Sequence, residues 1–497
     1  MFFISVEFII FSIILIPLYF FLSQKYRWVL LLIASYIFYS FADIRFLIFL
    51  LTTTISTYLS AIYIDILNIK ESTFAYLNIQ NDLKEKYYKN INIRKNLCLI
   101  VVLIINLGMI FCFKQINIIS DNLNLSNVLN LVLPLGISYY TLQALGYVID
   151  VYRKVIRPEK NIYKYALFVS YFPQFVMGPI SRFDDLSLQL FNKYSFNKDV
   201  FVEGIQRLVW GFFKKLVIAD RIGIFVDTIY GNYSVHSGTV LVITMILYSV
   251  QIYADFSGYM DIAIGISKCL GIKIQENFNT PYFSKSVQEF WTRWHITLYT
   301  WFRDYVFYSL LRSNFFMKLK KILNGRSFVL SSIPLVVTIL IVWFLVGLWH
   351  GSQPHYIVAG LYNGVLITLC LFIHKYNIFR NVKSIIKIIF TFMFISFGTF
   401  LFRINTLTDA INIINRVISC PFSDNIVSEL NTNLFSVSQW YVLIISILIL
   451  FIVDYIKVKN KQIKVNRNLK LFIIYLLLLS IVLFGKFGAT TFIYLNF

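Results

Sequence analysis

The sequence predicts an all-α, polytopic integral membrane protein, and three observations predict it. Hydrophobic residues make up 58% of the 497 positions. Charged residues make up only 14%, where a soluble globular chain carries ~25%. Apolar stretches of about twenty residues, the length that spans the hydrocarbon core of a bilayer, recur along the whole chain. The longest polar interval, Asn68 to Asn96, is too short for a soluble domain. The chain therefore reads as one membrane-embedded domain over 1–497. The net charge of +21 fits Lys and Arg collected in cytoplasmic loops of a membrane protein, and nucleic acid is not expected as a partner.

The N-terminal run Phe2 to Phe21 lacks a basic leader and an A-x-A cleavage site, so it reads as an uncleaved first span. Strong spans follow at 46–67, 130–151, 328–349, 356–374, 384–402, 438–456 and 471–488, the first extending to residue 22. Weaker ones lie at 28–41, 98–113, 165–180, 206–228, 239–254 and 257–272. The sum is roughly eleven to thirteen transmembrane helices plus re-entrant or amphipathic helices. Basic loops at 68–97, 152–164, 312–326, 375–387 and 457–470 belong to the cytoplasm, while 114–129 and 403–437 belong outside. Both termini then fall outside. The interval 165–311 resists this assignment because its charges sit inside apolar runs. Lys214 and Lys215 in WGFFKKLVIADRI are an example, and they suit an amphipathic or broken helix at the interface.

The five cysteines are scattered without a CxxC, which argues against a disulfide framework or a zinc site. No metal is expected. The nucleophile-elbow, phosphate-loop and H-E-x-x-H motifs are absent.

Ionisable groups at membrane depth are costly, and they mark functional sites by default. Here they cluster. QIYADFSGYMDIAIG (251–265) carries Asp255 and Asp261, and EFWTRWHITLYTWFRDY (289–305) carries Glu289, Arg293, His295, Arg303 and Asp304. WFLVGLWHG (343–351) ends on His350 between Gly347 and Gly351. Read as one helix, 289–305 places Arg293, Thr297, Thr300 and Asp304 on a single stripe. His295 then lies opposite, with Trp291, Leu298 and Phe302. Two readings stay open: an interfacial helix with a tryptophan belt, or half of an active site. Asp255 and Asp261 either face a polar cavity or pair with Arg293 or Arg303, since an unpaired buried charge is expensive. Two histidines on consecutive membrane elements, each set among tryptophans (Trp291 and Trp294, then Trp349), suit base-assisted acyl transfer to an alcohol. A polysaccharide or lipid transporter with charges lining its path is the reading from another class. It predicts symmetric halves, and no repeat is visible.

The segment IYADFSGYMDIAIGISKCLGIKIQENFNTPYFSKSVQEFWTRWHITLYTWFRDYVF (252–307) closely resembles the central block of the membrane-bound O-acyltransferases (MBOAT family). The similar branch is the bacterial one that acetylates alginate and peptidoglycan and D-alanylates teichoic acid. PLGISYYTLQALGYVIDVYR (134–153), FPQFVMGPISRF (172–183), FLVGLWHG (344–351) and RWVLLLIASYIFYSFADIRFLIFLL (27–51) extend the likeness over nearly the whole chain. Residues 312–327 depart from the glycine- and asparagine-rich turn of that family.

The resemblance implies a ring of tilted helices around a central acyl-transfer tunnel. The core acyltransferase region covers about 130–375, with extra helices over 384–497. By position, His350 matches the family's catalytic histidine and His295 its second active-site histidine. Trp291, Arg293, Trp294, Trp349, Asp255, Asp261, Arg303 and Asp304 are expected to line or support the tunnel. The implied donor is a cytoplasmic thioester, acetyl-CoA or the phosphopantetheine of a carrier protein, with no bound cofactor. The implied acceptor is a hydroxyl of a cell-surface polysaccharide or of a partner protein. Expected partners are membrane lipid, an exported SGNH-like acyltransferase or polysaccharide-presenting protein, and a cytoplasmic donor carrier. D-alanyl transfer towards teichoic acid is the alternative within this family. The expected location is the plasma membrane, with the tunnel linking cytoplasm and exterior.

Overall fold

A computed structural model describes residues 3–75, 81–122, 134–431, 435–459 and 466–488. Part of the expected loop 114–129, the start of the expected span 130–151, residues 432–434 of loop 403–437 and residues 460–465 of loop 457–470 lie outside them. Among the described residues the secondary structure is helical, with one isolated antiparallel bridge between Phe278 and Trp294. Among the described residues, eight helices are long and apolar enough to cross a membrane, and Val6–Phe21 and Arg27–Ser40 are shorter apolar helices.

Two compact units can be distinguished. The first comprises Met1–Phe201 with Ile266–Gln275. Its helices are α1 (Val6–Phe21), α2 (Arg27–Ser40), α3 (Leu47–Ala75), α4 (Asn81–Asn122), α5 (Ile137–Tyr152), α6 (Ile162–Ser170), α7 (Phe172–Phe175) and α8 (Phe183–Leu190). Residues 76–80 of the expected loop 68–97 lie outside the described ones, and the rest of it is helical, because α3 and α4 extend past the apolar stretches that define them. Their polar ends are tied by Lys95, which reaches Glu71 at 2.7 Å, and by Lys154, which reaches the same carboxylate at 2.9 Å. The expected span 165–180 is instead α6 and α7 with a turn between them. The chain leaves the helical region at Tyr171, whose ψ is 109°, and Pro173 sits in the first turn of α7, where its missing N–H breaks no helical bond.

The second unit comprises Val202–Gly265 with Glu276–Phe497. The helix α9 (Lys198–Phe212) passes through a π-helical stretch, Phe213–Ala219, into α10 (Asp220–Gly231). One long helix, α11 (Gly238–Cys269), replaces the two expected spans 239–254 and 257–272, with its last residues in the first unit. Then come α12 (Val287–Arg293), α13 (Ile296–Trp301), a second π stretch (Phe302–Phe307), α14 (Tyr308–Leu311) and α15 (Asn314–Leu323). After these lie α16 (Phe328–His350), α17 (Pro354–Lys375), α18 (Ser384–Arg403), α19 (Leu407–Ser419), α20 (Ile426–Leu430), α21 (Val437–Val458) and α22 (Arg467–Phe484).

Small residues set how closely these helices approach. A Cβ built on Gly211 would lie 2.5 Å from the Gly258 carbonyl oxygen, and one on Gly265 would lie 2.6 Å from Leu208 N. Such contact between backbones gives membrane helices the dispersion energy that water-driven burial does not supply.

Lys214 and Lys215 are buried rather than interfacial. The π stretch carries an extra residue per turn and aims both ammonium groups at α11. Lys215 meets Asp220 at 2.7 Å and Asp255 at 2.8 Å, and Lys214 meets Asp261, which also binds Arg207. Asp255 and Asp261 are therefore paired, as burial requires, but the arginine and lysines that pair with them lie on α9 and the π stretch. Arg293 instead pairs with Glu289 at 2.7 Å, and Arg303 with Asp304 at 2.8 Å.

Candidate active site

The segment 289–305 is not one helix. It breaks at His295, whose φ of 45° and ψ of 51° lie in the left-handed region. That conformation is uncommon for a residue with a Cβ and persists only where the surroundings enforce it. Here the enforcing segment is 277–279. Asn279 N donates to Arg293 O at 2.9 Å, and Ile296 N donates to Asn277 O at 3.0 Å. The Asn277 side chain completes the clamp, because its Oδ1 accepts from Thr297 N and from Thr297 Oγ1, both at 3.0 Å. Asn277 is fully buried.

The same Oδ1 lies 3.3 Å from His295 Nδ1. Asn277 Nδ2 is directed to Met260 Sδ at 3.5 Å, so the oxygen is the atom facing the imidazole. An amide oxygen cannot donate, which assigns the proton to Nδ1 and leaves Nε2 as the nitrogen bearing the lone pair. Phe256 packs edge-on at 4.8 Å between centroids, and Trp349 stands 6.2 Å away.

His350 is the last residue of α16 and is 8% exposed. Its ring packs against Trp349 at 4.8 Å and Phe402 at 4.9 Å. The chain leaves the helix through Gly351, where a Cβ would collide with the Tyr356 ring.

Both histidines line one cavity of about 370 Å³, lined mainly by apolar side chains. Trp291, Trp294 and Arg303 also line it. Trp349 reaches the site through its ring contacts with both imidazoles. Arg293, Asp304, Asp255 and Asp261 are not among the lining residues. Asp261 lines a separate small polar pocket with Arg207, Lys214, Glu276 and Lys457. No group of three or more His, Cys, Asp or Glu residues with metal-binding geometry occurs among the described residues.

Two residues of the site carry no sequence signal that singles them out. Asn277 lies in a loop, and its role depends on Thr297 and His295 far along the chain. Asn363 lines the cavity from α17 and is 2% exposed. In sequence it is hidden inside GLYNG, which reads as a small-xxx-small packing motif.

The arrangement provides two imidazoles in a mainly apolar cavity large enough for an acyl group on a flexible arm. The membrane-bound O-acyltransferase family model matches residues 98–404, a range that contains every residue lining this cavity. A protein named "Probable alginate O-acetylase AlgI" from Pseudomonas syringae pv. tomato is 32% identical over 431 residues, covering 84% of this chain and 74% of that protein. The "Peptidoglycan O-acetyltransferase" of Helicobacter pylori is 30% identical over 426 residues, covering 78% and 73%. The "Teichoic acid D-alanyltransferase" of Bacillus subtilis is 32% identical over 295 residues, covering 55% and 69%. The chain belongs to the membrane-bound O-acyltransferase family and is a multi-pass acyltransferase of the plasma membrane.

Proposed function

We propose that this chain transfers an acetyl group from a cytoplasmic thioester, acetyl-CoA or a carrier-bound phosphopantetheine, to a hydroxyl outside the membrane. The acceptor is a cell-surface polysaccharide, reached through an exported partner protein that takes the acyl group or presents the polymer. The observation that carries this reading is that His295 and His350, held by separate elements, line one cavity. The longer match favours acetyl over D-alanyl transfer: 84% of this chain aligns with the alginate relative and 55% with the D-alanyl one.

In this reading His350 is the general base. It takes the proton from the acceptor hydroxyl as that oxygen bonds to the thioester carbonyl carbon. The tetrahedral intermediate collapses by breaking the carbon–sulfur bond, and the imidazolium returns the proton to the departing thiolate. His295, with its Nδ1 proton committed to Asn277, orients the hydroxyl through the Nε2 lone pair. The basic segment 312–326 before α16 puts the start of that helix on the cytoplasmic side and His350 at its outer end.

Reconstitution tests the reading. Purified chain in liposomes, given acetyl-CoA and polymer, is expected to acetylate poorly, and adding the exported partner is expected to restore transfer. Full activity without a partner overturns the relay. A requirement for an adenylating ligase and carrier protein would move the donor to D-alanine.

A further inference from the structure

Within the donor reading just proposed, one feature of the cavity wall assigns a recognition site. Asn363 Nδ2 donates to Ala359 O, one helical turn back, at 2.8 Å. This fixes the amide orientation, so the outstanding atom is Oδ1. That oxygen is buried and has no hydrogen-bond partner among the described residues. A buried acceptor left without a donor is costly, and such an atom on a cavity wall points to a ligand N–H or O–H. On the facing element, Trp291 Nε1 is likewise buried without a partner. Its ring packs edge-on against Trp343 at 4.5 Å. The cavity wall thus carries, in Asn363 and Trp291, an acceptor and a donor that together complement a secondary amide.

Depth selects which amide. A Cβ on Gly364 would lie 3.0 Å from Trp343 Cβ, so Asn363 stands at the level of Trp343. That level is seven residues before His350 on α16, roughly 10 Å towards the cytoplasmic end at 1.5 Å per residue. In an acylated pantetheine arm, the second amide nitrogen follows the sulfur by seven bonds, roughly 9 Å when extended at standard bond lengths. We infer that Asn363 and Trp291 bind the second amide of a pantetheine arm, with Oδ1 accepting its N–H and Nε1–H donating to its carbonyl, so that the thioester is held at His350. The acceptor hydroxyl, arriving from the far side of His350, does not reach this level.

The experiment compares acetyl-pantetheine with two analogues, each with one amide replaced by an ester, which removes an N–H and keeps the carbonyl. For the wild-type chain, KM is expected to rise about tenfold for the analogue altered at the second amide, with kcat nearly unchanged. Asn363→Leu is expected to raise KM for acetyl-pantetheine by a similar factor and to be indifferent to that ester. Trp291→Phe keeps the ring, removes the donor, and is expected to raise KM for both compounds. Equal wild-type KM values for the amide and both esters overturn the inference, and this arm needs no variant to fold. An Asn363→Leu loss of the same size on the amide and the second-amide ester shows a structural role and also overturns it. Failure of the wild-type chain to use any pantetheine thioester strikes the donor reading itself.

Discussion

Gly347 of α16 and Gly360 of α17 bring two membrane helices into backbone contact. A Cβ on Gly360 would lie 3.1 Å from both Gly347 Cα and Gly347 N and would overlap the Trp343 carbonyl oxygen. A Cβ on Gly347 would lie 2.6 Å from Tyr356 O. The helix that ends on His350 is therefore positioned by the helix that carries Asn363. Gly347 and Gly351, like Gly360 and Gly364, form the four-residue spacing of small residues that allows such approach.

Gly360→Val is accordingly expected to destabilise the chain by roughly 3 kcal/mol, because backbone atoms on both sides must move. Thermal unfolding in detergent checks this. An unchanged midpoint would mean that the α16–α17 approach is not rigid.

His350→Ala is expected to lower kcat by about 10²–10⁴-fold while the protein elutes and unfolds as wild type does. His295→Ala is expected to cost about 10²-fold through lost orientation of the hydroxyl. Turnover of acetyl-CoA with a soluble alcohol as acceptor measures both. Near wild-type rates in either variant would remove that histidine from the chemistry.

The two histidines were legible in the sequence because titratable residues are rare in apolar runs and these two sit among tryptophans. The helix count in 165–311 was not, for a physical reason. The break at His295 is imposed by Asn277, so periodicity within 289–305 carries no trace of it. Lys214 and Lys215 read as interfacial because the carboxylates Asp261 and Asp255 come from α11, which a local window cannot see. The pairing of Asp255 and Asp261 followed from the cost of buried charge, but the choice of partner depended on the π stretch. Asn363 was invisible because a packing motif and a binding residue share the same five positions.

Asn277→Leu removes the acceptor for Thr297 N, Thr297 Oγ1 and His295 Nδ1 together. It is expected to lower kcat at least tenfold with little change in donor KM, since the imidazole loses its fixed tautomer and orientation. Asn277→Asp keeps an acceptor at that place and is expected to recover part of the rate. Equal rates in all three proteins would show that the clamp does not orient His295.

Asp261→Leu leaves Lys214 and Arg207 without the carboxylate that joins them. Breaking a buried ion pair from one side typically costs about 3–5 kcal/mol, so this variant is expected to accumulate poorly in the membrane. Lys214→Met combined with Asp261→Leu is expected to recover part of the loss. A double variant worse than the single one would contradict the pairing.

The last prediction concerns the outward segment after α18. Glu429 on α20 accepts from Ser237 N at 2.8 Å and from Ser237 Oγ at 3.1 Å, next to the start of α11. Burial opposes ionisation of this carboxyl, but hydrogen bonds from Ser423 and Ser237 and the neighbouring His236 outweigh it, and its pKa is lowered. A carboxylate depressed in the folded state contributes stability that is present above its unfolded pKa and is lost as pH falls through the folded value. Acidification below the ordinary glutamate range should therefore loosen this attachment, and the neutral isostere should remove the effect. Limited proteolysis of residues 420–431 from the outer face is expected to be slow at pH 7 and faster at pH 3 in the wild-type chain. In Glu429→Gln it is expected to be faster at pH 7 and to change little with pH. A wild-type cleavage rate that is flat from pH 7 to pH 3, or a Glu429→Gln profile that tracks the wild type, would show that this carboxylate does not hold the segment to α11.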